Sequence, residues 1–178
     1  MRYVLAVISA LGAWAASDAM AAEATMLSVR QTIGINAPPA AVWAVVGDFN
    51  GLPSWFSRIV DSRIVSGNNN EVGCIRELTR RNGTQVTERL VEYDPVGMRL
   101  SYTYIGGMVA ASDYFPVIVV KDAGNGTSTV DWSARFRRLA YWLDPPPAGQ
   151  DDKSLTDFFS GAYQAGLEAL KKKLEGGQ

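Results

Sequence analysis

Residues 151–174, DDKSLTDFFSGAYQAGLEALKKKL, decide the fold that this sequence predicts. Asp151 or Asp152 supplies a helix N-cap, and Lys171 to Lys173 suit the negative end of the helix dipole. Between them, apolar residues recur at helical spacing and form one apolar face: Leu155, Phe158, Phe159, Ala162, Tyr163, Gly166, Leu167 and Leu170. Such a helix is roughly 35 Å long, enough to cross a whole β-sheet.

The residues before this helix predict that sheet. Residues 27–35 alternate apolar and polar side chains, which indicates a half-buried strand. Asn36 is expected to cap a short helix over residues 38–46 that ends at Gly47, and residues 50–56 look like a second helical turn. Further strands are predicted at regular spacing over residues 59–66, 72–80, 84–93, 98–105, 114–121 and 127–137. The fold class is therefore α+β, a seven-stranded curved antiparallel sheet around the long C-terminal helix, with two short helices after strand one.

The first residues are typical of a secretion signal. Arg2 gives a positive start, residues 4–16 are mainly apolar, and residues 19–21 suit a signal peptidase. We expect a signal peptide at residues 1–21, one domain at residues 22–178, and a periplasmic or secreted location. A transmembrane anchor is the alternative, but the apolar run is short for a bilayer.

Composition excludes several classes of function. The 178 residues carry a net charge of −1, and no basic patch indicates nucleic acid or an anionic membrane surface as a partner. The absence of histidine excludes triads that use it and removes the commonest metal ligand. Cys74, the single cysteine, is expected to be a buried thiol without a disulfide. Nothing in the sequence predicts a metal or a cofactor.

One predicted hairpin sets two opposite charges face to face. A loop of Arg81, Asn82 and Gly83, with Gly83 in the left-handed conformation, places Arg76 opposite Glu88. A two-residue loop shifts the register by one and mixes apolar and polar faces. The preferred register puts Cys74, Arg76, Leu78, Val86, Glu88 and Leu90 on one face, and Glu77, Thr79, Gln85, Thr87 and Arg89 on a solvated one.

The pair Arg76 and Glu88 is the candidate catalytic site. A buried ion pair is weak support for stability, because desolvating two charges is costly. Facing a cavity, Arg76 could bind a carboxylate or an oxyanion, and Glu88 could act as an acid or a base. A purely structural ion pair is the alternative.

Aromatic residues on the same predicted face indicate a ligand cavity. They alternate with polar residues along the strands, and we expect small residues of the long helix (Gly161, Ala162, Ala165 and Gly166) to leave space opposite them. An ordinary aromatic core is the alternative. The predicted ligand-binding residues are Arg76, Glu88, Tyr102, Tyr104, Tyr114, Trp132 and Tyr163.

Several segments resemble a known superfamily. Residues 41–49, AVWAVVGDF, followed by Trp55, look like the entry helix of bacterial polyketide cyclase/dehydrase and lipid-transport proteins, and residues 72–76 and 88–90 look like their third and fourth strands. The element order resembles the helix-grip superfamily (SRPBCC, START-like), which includes START domains, the birch-pollen allergen and the abscisic acid receptors. The tail, YWLDPPPAGQDD followed by AYQAGL, resembles MxaD-type periplasmic proteins associated with methanol oxidation.

This resemblance implies that an apolar ligand is bound, or acted on, inside the cavity. In plant relatives, including the onion lachrymatory-factor synthase, the positions matching Arg76 and Glu88 carry catalysis. In hormone receptors, Glu88 matches a ligand contact and Tyr114 a pocket tyrosine. Residues 108–114, MVAASDY, lack the Leu-Pro-Val usual before the tyrosine in methanol-associated members. In relatives this segment lies at the mouth of the pocket. The resemblance therefore predicts no particular ligand.

Three functions are compatible with the sequence. The preferred one is a periplasmic binding or carrier protein for a small, mainly apolar ligand bearing an acidic or carbonyl group. The second is an enzyme of cyclase, dehydratase or isomerase type, in which Glu88 moves a proton and Arg76 stabilises an oxyanion. The third is an accessory protein of a periplasmic dehydrogenase or cytochrome, with the loop at residues 141–147 either docking that partner or closing the cavity.

Overall fold

The structure, a computed structural model, describes residues 25–107 and 109–176. The predicted signal peptide lies outside these residues. Two helices are labelled α1 and α2, and a 3₁₀ helix, Phe49–Ser54, follows α1. In chain order the other elements are β1 (Leu27–Ile35), α1 (Pro39–Val46), β2 (Ile59–Ser66), β3 (Ile75–Arg80), β4 (Gln85–Asp94), β5 (Arg99–Gly107), β6 (Ala111–Gly124), β7 (Thr127–Arg138) and α2 (Asp152–Glu175).

The order and type of these elements agree with the prediction. The largest differences are at strand ends, since β3 begins at Ile75 rather than at residue 72, and β6 begins at Ala111 rather than at residue 114. The predicted cap at Asn36 is wrong: α1 is preceded by Pro38, which makes no side-chain cap. Proline at the start of a helix lacks a backbone N–H, so fewer donors need a cap.

The strands form one seven-stranded antiparallel sheet in the order β1-β7-β6-β5-β4-β3-β2. Strands β1 and β2 are therefore the two edges, although they are neighbours in the sequence. Leu27 pairs with Phe136 and Ile35 with Ser128, so β1 joins the sheet through its last strand. The sheet curves around α2, and the α+β prediction is confirmed.

The hairpin between β3 and β4 has the predicted register. Arg76 pairs with Glu88 and Leu78 with Val86. Gly83 has a φ of +81°, as the predicted three-residue loop requires. The inner face is buried throughout, which is the sorting that the register predicted, and consists of Cys74, Arg76, Leu78, Val86, Glu88 and Leu90.

Helix α2 lies against the inner face of the sheet and begins at Asp151, whose carboxylate accepts a hydrogen bond from the Ser154 N–H at 2.8 Å. One prediction for its inner face is wrong, because Gly161 is exposed. Phe158 lies on the apolar face but is 56% exposed. Gly166 is buried but leaves no space, because a Cβ there would come within 2.7 Å of the Trp132 ring. Only part of the helix therefore borders open space.

Candidate functional site

A cavity of about 380 Å³ lies between the sheet and α2. This is within the range of about 300–1,000 Å³ that is typical of small-molecule sites. Strands β3 to β7, helix α2 and the segment after the 3₁₀ helix all contribute to its wall. The lining residues are Leu52, Phe56, Arg58, Ile59, Leu78, Arg80, Arg81, Asn82, Val86, Glu88, Tyr102, Tyr104, Tyr114, Trp132, Phe158, Phe159, Ala162 and Tyr163.

The structure brings together most of the residues predicted to bind ligand. Glu88 and the predicted aromatic residues (Tyr102, Tyr104, Tyr114, Trp132 and Tyr163) all line the cavity. Arg76 does not line it and borders a separate space of about 10 Å³ beside the 3₁₀ helix. The expectation that both members of the ion pair face one cavity is therefore wrong for Arg76.

Arg76 is turned away because the protein itself satisfies its guanidinium. Its Nη1 donates to the backbone carbonyl of Phe49, and its Cζ lies 3.9 Å from the centre of the Phe49 ring. Its Nε and Nη2 lie 2.8 and 2.6 Å from the same oxygen, Oε2 of Glu88. Each side chain of the pair is 4% exposed. Arg76 thus positions Glu88 and balances its charge.

The aromatic wall is ordered by ring stacking. Tyr104 stacks on Tyr114 with ring centres 4.3 Å apart, and Trp132 stacks on Tyr163 at 4.4 Å. The hydroxyls of Tyr114 and Tyr163 are 2.5 Å apart and share a hydrogen bond. Strands β5, β6 and β7 are thereby tied to α2 across the wall of the cavity.

Burial keeps the cavity phenols protonated. Burial, reinforced by the nearby Glu88 charge, raises the pKa of Tyr104 to about 12. Burial likewise raises the pKa of Tyr102, Tyr114 and Tyr163 well above its ordinary value. Neutral phenols can donate hydrogen bonds to a carbonyl or hydroxyl oxygen of a ligand.

Trp132 offers one further donor to the cavity wall. Its buried indole N–H makes no well-formed hydrogen bond. The Tyr102 hydroxyl is nevertheless close enough for this N–H to favour the phenolate there, against the larger effect of burial.

Sequence reasoning missed the cavity mouth, which we define as Arg58, Arg80, Arg81, Asn82 and Phe158. All five line the cavity, and all except the partly buried Arg80 are exposed. The turn between β3 and β4 is fixed there because Arg81 donates from Nε and Nη2 to the Ser57 carbonyl at 3.1 and 2.9 Å. The only signal in the sequence was the arginine pair beside the predicted turn.

The loop at residues 141–147 is exposed at Tyr141, Trp142 and Leu143. None of its residues lines the cavity, so the structure gives no support to a role in closing it. Docking of a partner protein stays a prediction. Within residues 109–114, only Tyr114 reaches the cavity, and Met108 lies outside the described residues.

Residues 25–107 and 109–176 contain neither a membrane-spanning helix nor a cluster of metal ligands. No helix in these ranges is long and apolar enough to cross a membrane. No three His, Cys, Asp or Glu side chains in them are placed to hold a metal ion. Cys74 is a free, buried thiol, and burial raises its pKa.

The comparisons with known proteins agree with this geometry. Residues 26–175 match the family model described as polyketide cyclase / dehydrase and lipid transport. The chain belongs to this family. The predicted helix-grip superfamily is thereby confirmed, while the closer likeness to MxaD-type proteins stays a prediction.

Two plant proteins are similar to the chain in sequence. The chain is 24% identical over 144 residues to the abscisic acid receptor PYL6 of Arabidopsis thaliana, a match covering 79% of this chain and 66% of the receptor. The chain thus spans just under two thirds of that receptor's length. It is 26% identical over 126 residues to the MLP-like protein 423 of the same plant, covering 67% of this chain and 81% of the relative.

Solved structures are similar over most of the chain. The protein XoxI from Bacillus cereus superposes with a TM-score of 0.72 and 26% identity, covering 83% of this chain and 94% of XoxI. The Zhui aromatase/cyclase from Streptomyces sp. R1128 superposes with a TM-score of 0.69 at 17% identity, covering 85% of this chain and 94% of the cyclase. At that identity the likeness to the cyclase concerns the fold alone.

Proposed function

We propose that this chain is a binding or carrier protein for a small, mainly apolar ligand held in the cavity between the sheet and α2. The observation that carries the proposal is the cavity itself, about 380 Å³ in volume and lined mostly by apolar and aromatic side chains. Glu88 and the neutral phenols are polar groups that could orient a ligand there. An apolar wall with a few placed polar groups is typical of a ligand site.

Binding can be tested with a neutral hydrophobic dye and a variant that fills the cavity. We expect the purified wild-type protein to bind Nile red with a rise in its fluorescence. Ala162→Trp should abolish this binding, because Ala162 lines the cavity and the indole would occupy it. Gln164→Trp, on the exposed side of the same helix, is the matched control and should bind as the wild type does.

Thermal unfolding of each variant establishes that it is folded before its binding is compared. Equal binding by wild type and Ala162→Trp would contradict the proposal, because the dye would then lie outside the cavity. Native mass spectrometry of the protein purified without added ligand would next identify any bound molecule by its mass.

One observation favours catalysis as a second candidate. Glu88 lines the cavity together with four tyrosines, and these could act as a proton-transferring carboxylate and as hydrogen-bond donors to an oxyanion. Against this role, Oε2 of Glu88 already accepts a hydrogen bond from Nε of Arg76 and lies 2.6 Å from Nη2 of the same guanidinium. If the protein is a cyclase or dehydratase, Glu88→Gln, measured at a temperature at which thermal unfolding shows it to be folded, should stop turnover of a bound substrate and still bind Nile red.

The location and the partner are separate proposals. Periplasmic or secreted location rests on residues 1–21, and fractionation of cells expressing the full chain should recover a product shortened at its N-terminus. Association with a periplasmic dehydrogenase or cytochrome rests on the exposed loop at residues 141–147. Cross-linking in the periplasm should capture that partner with wild-type protein and not with Trp142→Ser, since Trp142 is 64% exposed.

A further inference from the structure

The cavity is electrically asymmetric. Arg58, Arg80 and Arg81 line it on the side of the β3–β4 turn. Glu88 is the only acidic residue among the described residues that line it, and Arg76 balances its charge. The mouth is therefore cationic, while the rest of the wall is mainly aromatic; Arg80 reaches the edge of that wall, where it lies beside Tyr104 and favours its phenolate against the larger effect of burial.

Two of these arginines have guanidinium N–H groups that donate to no described residue. In the described part of the chain, the Arg58 guanidinium has neither a hydrogen-bond partner nor a carboxylate within 4 Å. Among its contacts with described residues, the Arg81 guanidinium uses only Nε and Nη2, which donate to the Ser57 carbonyl. That contact fixes the side chain and leaves Nη1 for another acceptor. By contrast, Arg63 on the outer face of β2 binds Glu77 at 2.6 Å.

We propose that the cavity takes an amphiphilic acid, with its carboxylate or phosphate group at Arg58, Arg80 and Arg81 and its apolar chain against the aromatic wall. This inference rests on the proposed binding function. Guanidinium groups match both carboxylate and phosphate oxygens in geometry and charge. Phe158, exposed at the mouth, would cover the part of the chain nearest the head group.

The reverse orientation is disfavoured by electrostatics. A head group at the Glu88 end would lose its water beside a carboxylate whose charge Arg76 already balances, so its own charge would be buried without a partner. The phenols there are neutral donors that cannot balance a negative charge. An acid with its head group outward avoids most of this desolvation.

The first experiment compares head groups on one chain length. Dodecanoate, dodecyl phosphate and dodecanol, each below its micellar concentration, would displace Nile red at low ionic strength. We expect the wild-type protein to prefer at least one acid to the alcohol. Arg58→Gln/Arg81→Gln should weaken binding of the preferred acid by about three- to tenfold and leave dodecanol unchanged.

Arg89→Gln is the matched control, because Arg89 is exposed on the outer face of β4 and does not line the cavity. It removes one positive charge from the protein and should leave the preference for the acid intact. If the double variant does not fold, Arg58→Gln alone is tested in its place. The Arg58 side chain makes no hydrogen bond or ion pair with another described side chain, so this change should not affect folding. Preference for one acid over the other identifies the head group.

The second experiment reads the orientation directly. The carboxyl carbon of bound [1-¹³C]dodecanoate titrates in the NMR spectrum, and nearby guanidinium groups should lower its pKa below that of the free acid. A raised pKa would place the head group in the apolar interior near Glu88 and overturn the proposal.

The outcomes separate this inference from the proposed function. Equal affinity of the wild type for the acids and dodecanol overturns the acidic-ligand proposal and leaves the binding function standing. An acid preference that Arg58→Gln/Arg81→Gln retains also overturns it. Failure to bind Nile red and all three amphiphiles overturns both proposals.

Discussion

Arg76 and Glu88 form a charged pair that is almost completely enclosed. Each side chain is 4% exposed, and the Arg76 guanidinium also lies against the Phe49 and Tyr102 rings. Breaking such a pair leaves one charge buried without compensation, whereas replacing both members by apolar residues removes that penalty. Comparing a variant that lacks one member of the pair with a variant that lacks both therefore measures how much of the lost stability comes from the unpaired buried charge.

We expect Glu88→Gln to lower the free energy of unfolding by about 3–5 kcal/mol, because the Arg76 charge would stay buried without its partner. Arg76→Met/Glu88→Leu should recover at least half of that loss. Urea denaturation of the three proteins measures both values. A double variant less stable than Glu88→Gln would mean that the Phe49 carbonyl, and not Glu88, is the main partner of Arg76.

For single residues, the alternation of side chains along the strands was enough to predict much of the site. Glu88, Tyr102 and Tyr104 lie on the inner face because side chains alternate along strands. The direction of Arg76 could not be predicted, since it depends on the carbonyl of Phe49, 27 positions away. Arg58 lines the cavity from the irregular segment after the 3₁₀ helix. Such a segment has no periodic pattern from which the direction of a side chain could be predicted.

Helix α2 contains two glycines with opposite surroundings. A Cβ at Gly161 would meet no atom within 4 Å, whereas a Cβ at Gly166 would come within 2.7 Å of Trp132 Cζ3. Gly166 therefore lets the helix approach the sheet where Trp132 stacks on Tyr163. Gly161 has no such role and only weakens the helix.

We expect Gly161→Ala to raise the free energy of unfolding by about 0.5–1 kcal/mol, since alanine lowers the entropy of the unfolded chain. Gly166→Ala should lower it by about 1–3 kcal/mol through overpacking against Trp132. Thermal and urea unfolding of both variants measure the effects, each serving as control for the other. If both variants were more stable than the wild type, Trp132 could move away from the new methyl group without a loss of stability.

The same helix illustrates what an apolar pattern can and cannot predict. Its length, a cap at Asp151 or Asp152, and the burial of Phe159 and Tyr163 follow from local spacing and were predicted; the structure has the cap at Asp151. Phe158 lies at the edge of the apolar stripe, and only the sheet decides whether such a residue is covered. The β3–β4 register was predictable because one turn and one pair of faces determine it.

The buried tyrosines make the stability of the whole molecule fall as the pH becomes alkaline. Their pKa is raised in the folded state, so below pH 10, the ordinary value, folded and unfolded chains are both protonated and contribute no pH dependence. Between that value and the pKa of about 12 for Tyr104, the unfolded chain ionises first and stability is lost. Each such tyrosine contributes a loss of about 1.4 kcal/mol per pH unit in this window.

We expect the free energy of unfolding from these tyrosines to be constant up to about pH 9 and to fall steeply from pH 10 to 12. Tyr104→Phe should reduce that slope by about 1.4 kcal/mol per pH unit. Urea denaturation at a series of pH values, with absorbance at 295 nm reporting phenolate, measures both quantities. An unchanged slope in Tyr104→Phe would mean that Tyr104 ionises equally in the folded and unfolded chains.

The position of β1 in the sheet has a consequence for biosynthesis. It is the first strand to leave the ribosome, yet its partner is β7, and the ion pair between Arg30 and Asp131 spans 101 positions. At about 5–20 residues per second, β1 waits about 5–20 seconds for that partner. Helix α2, which also packs against β1, is made later still. The nascent chain therefore exposes apolar strands to chaperones and proteases until β7 and α2 have been made, and the domain folds as a unit only then.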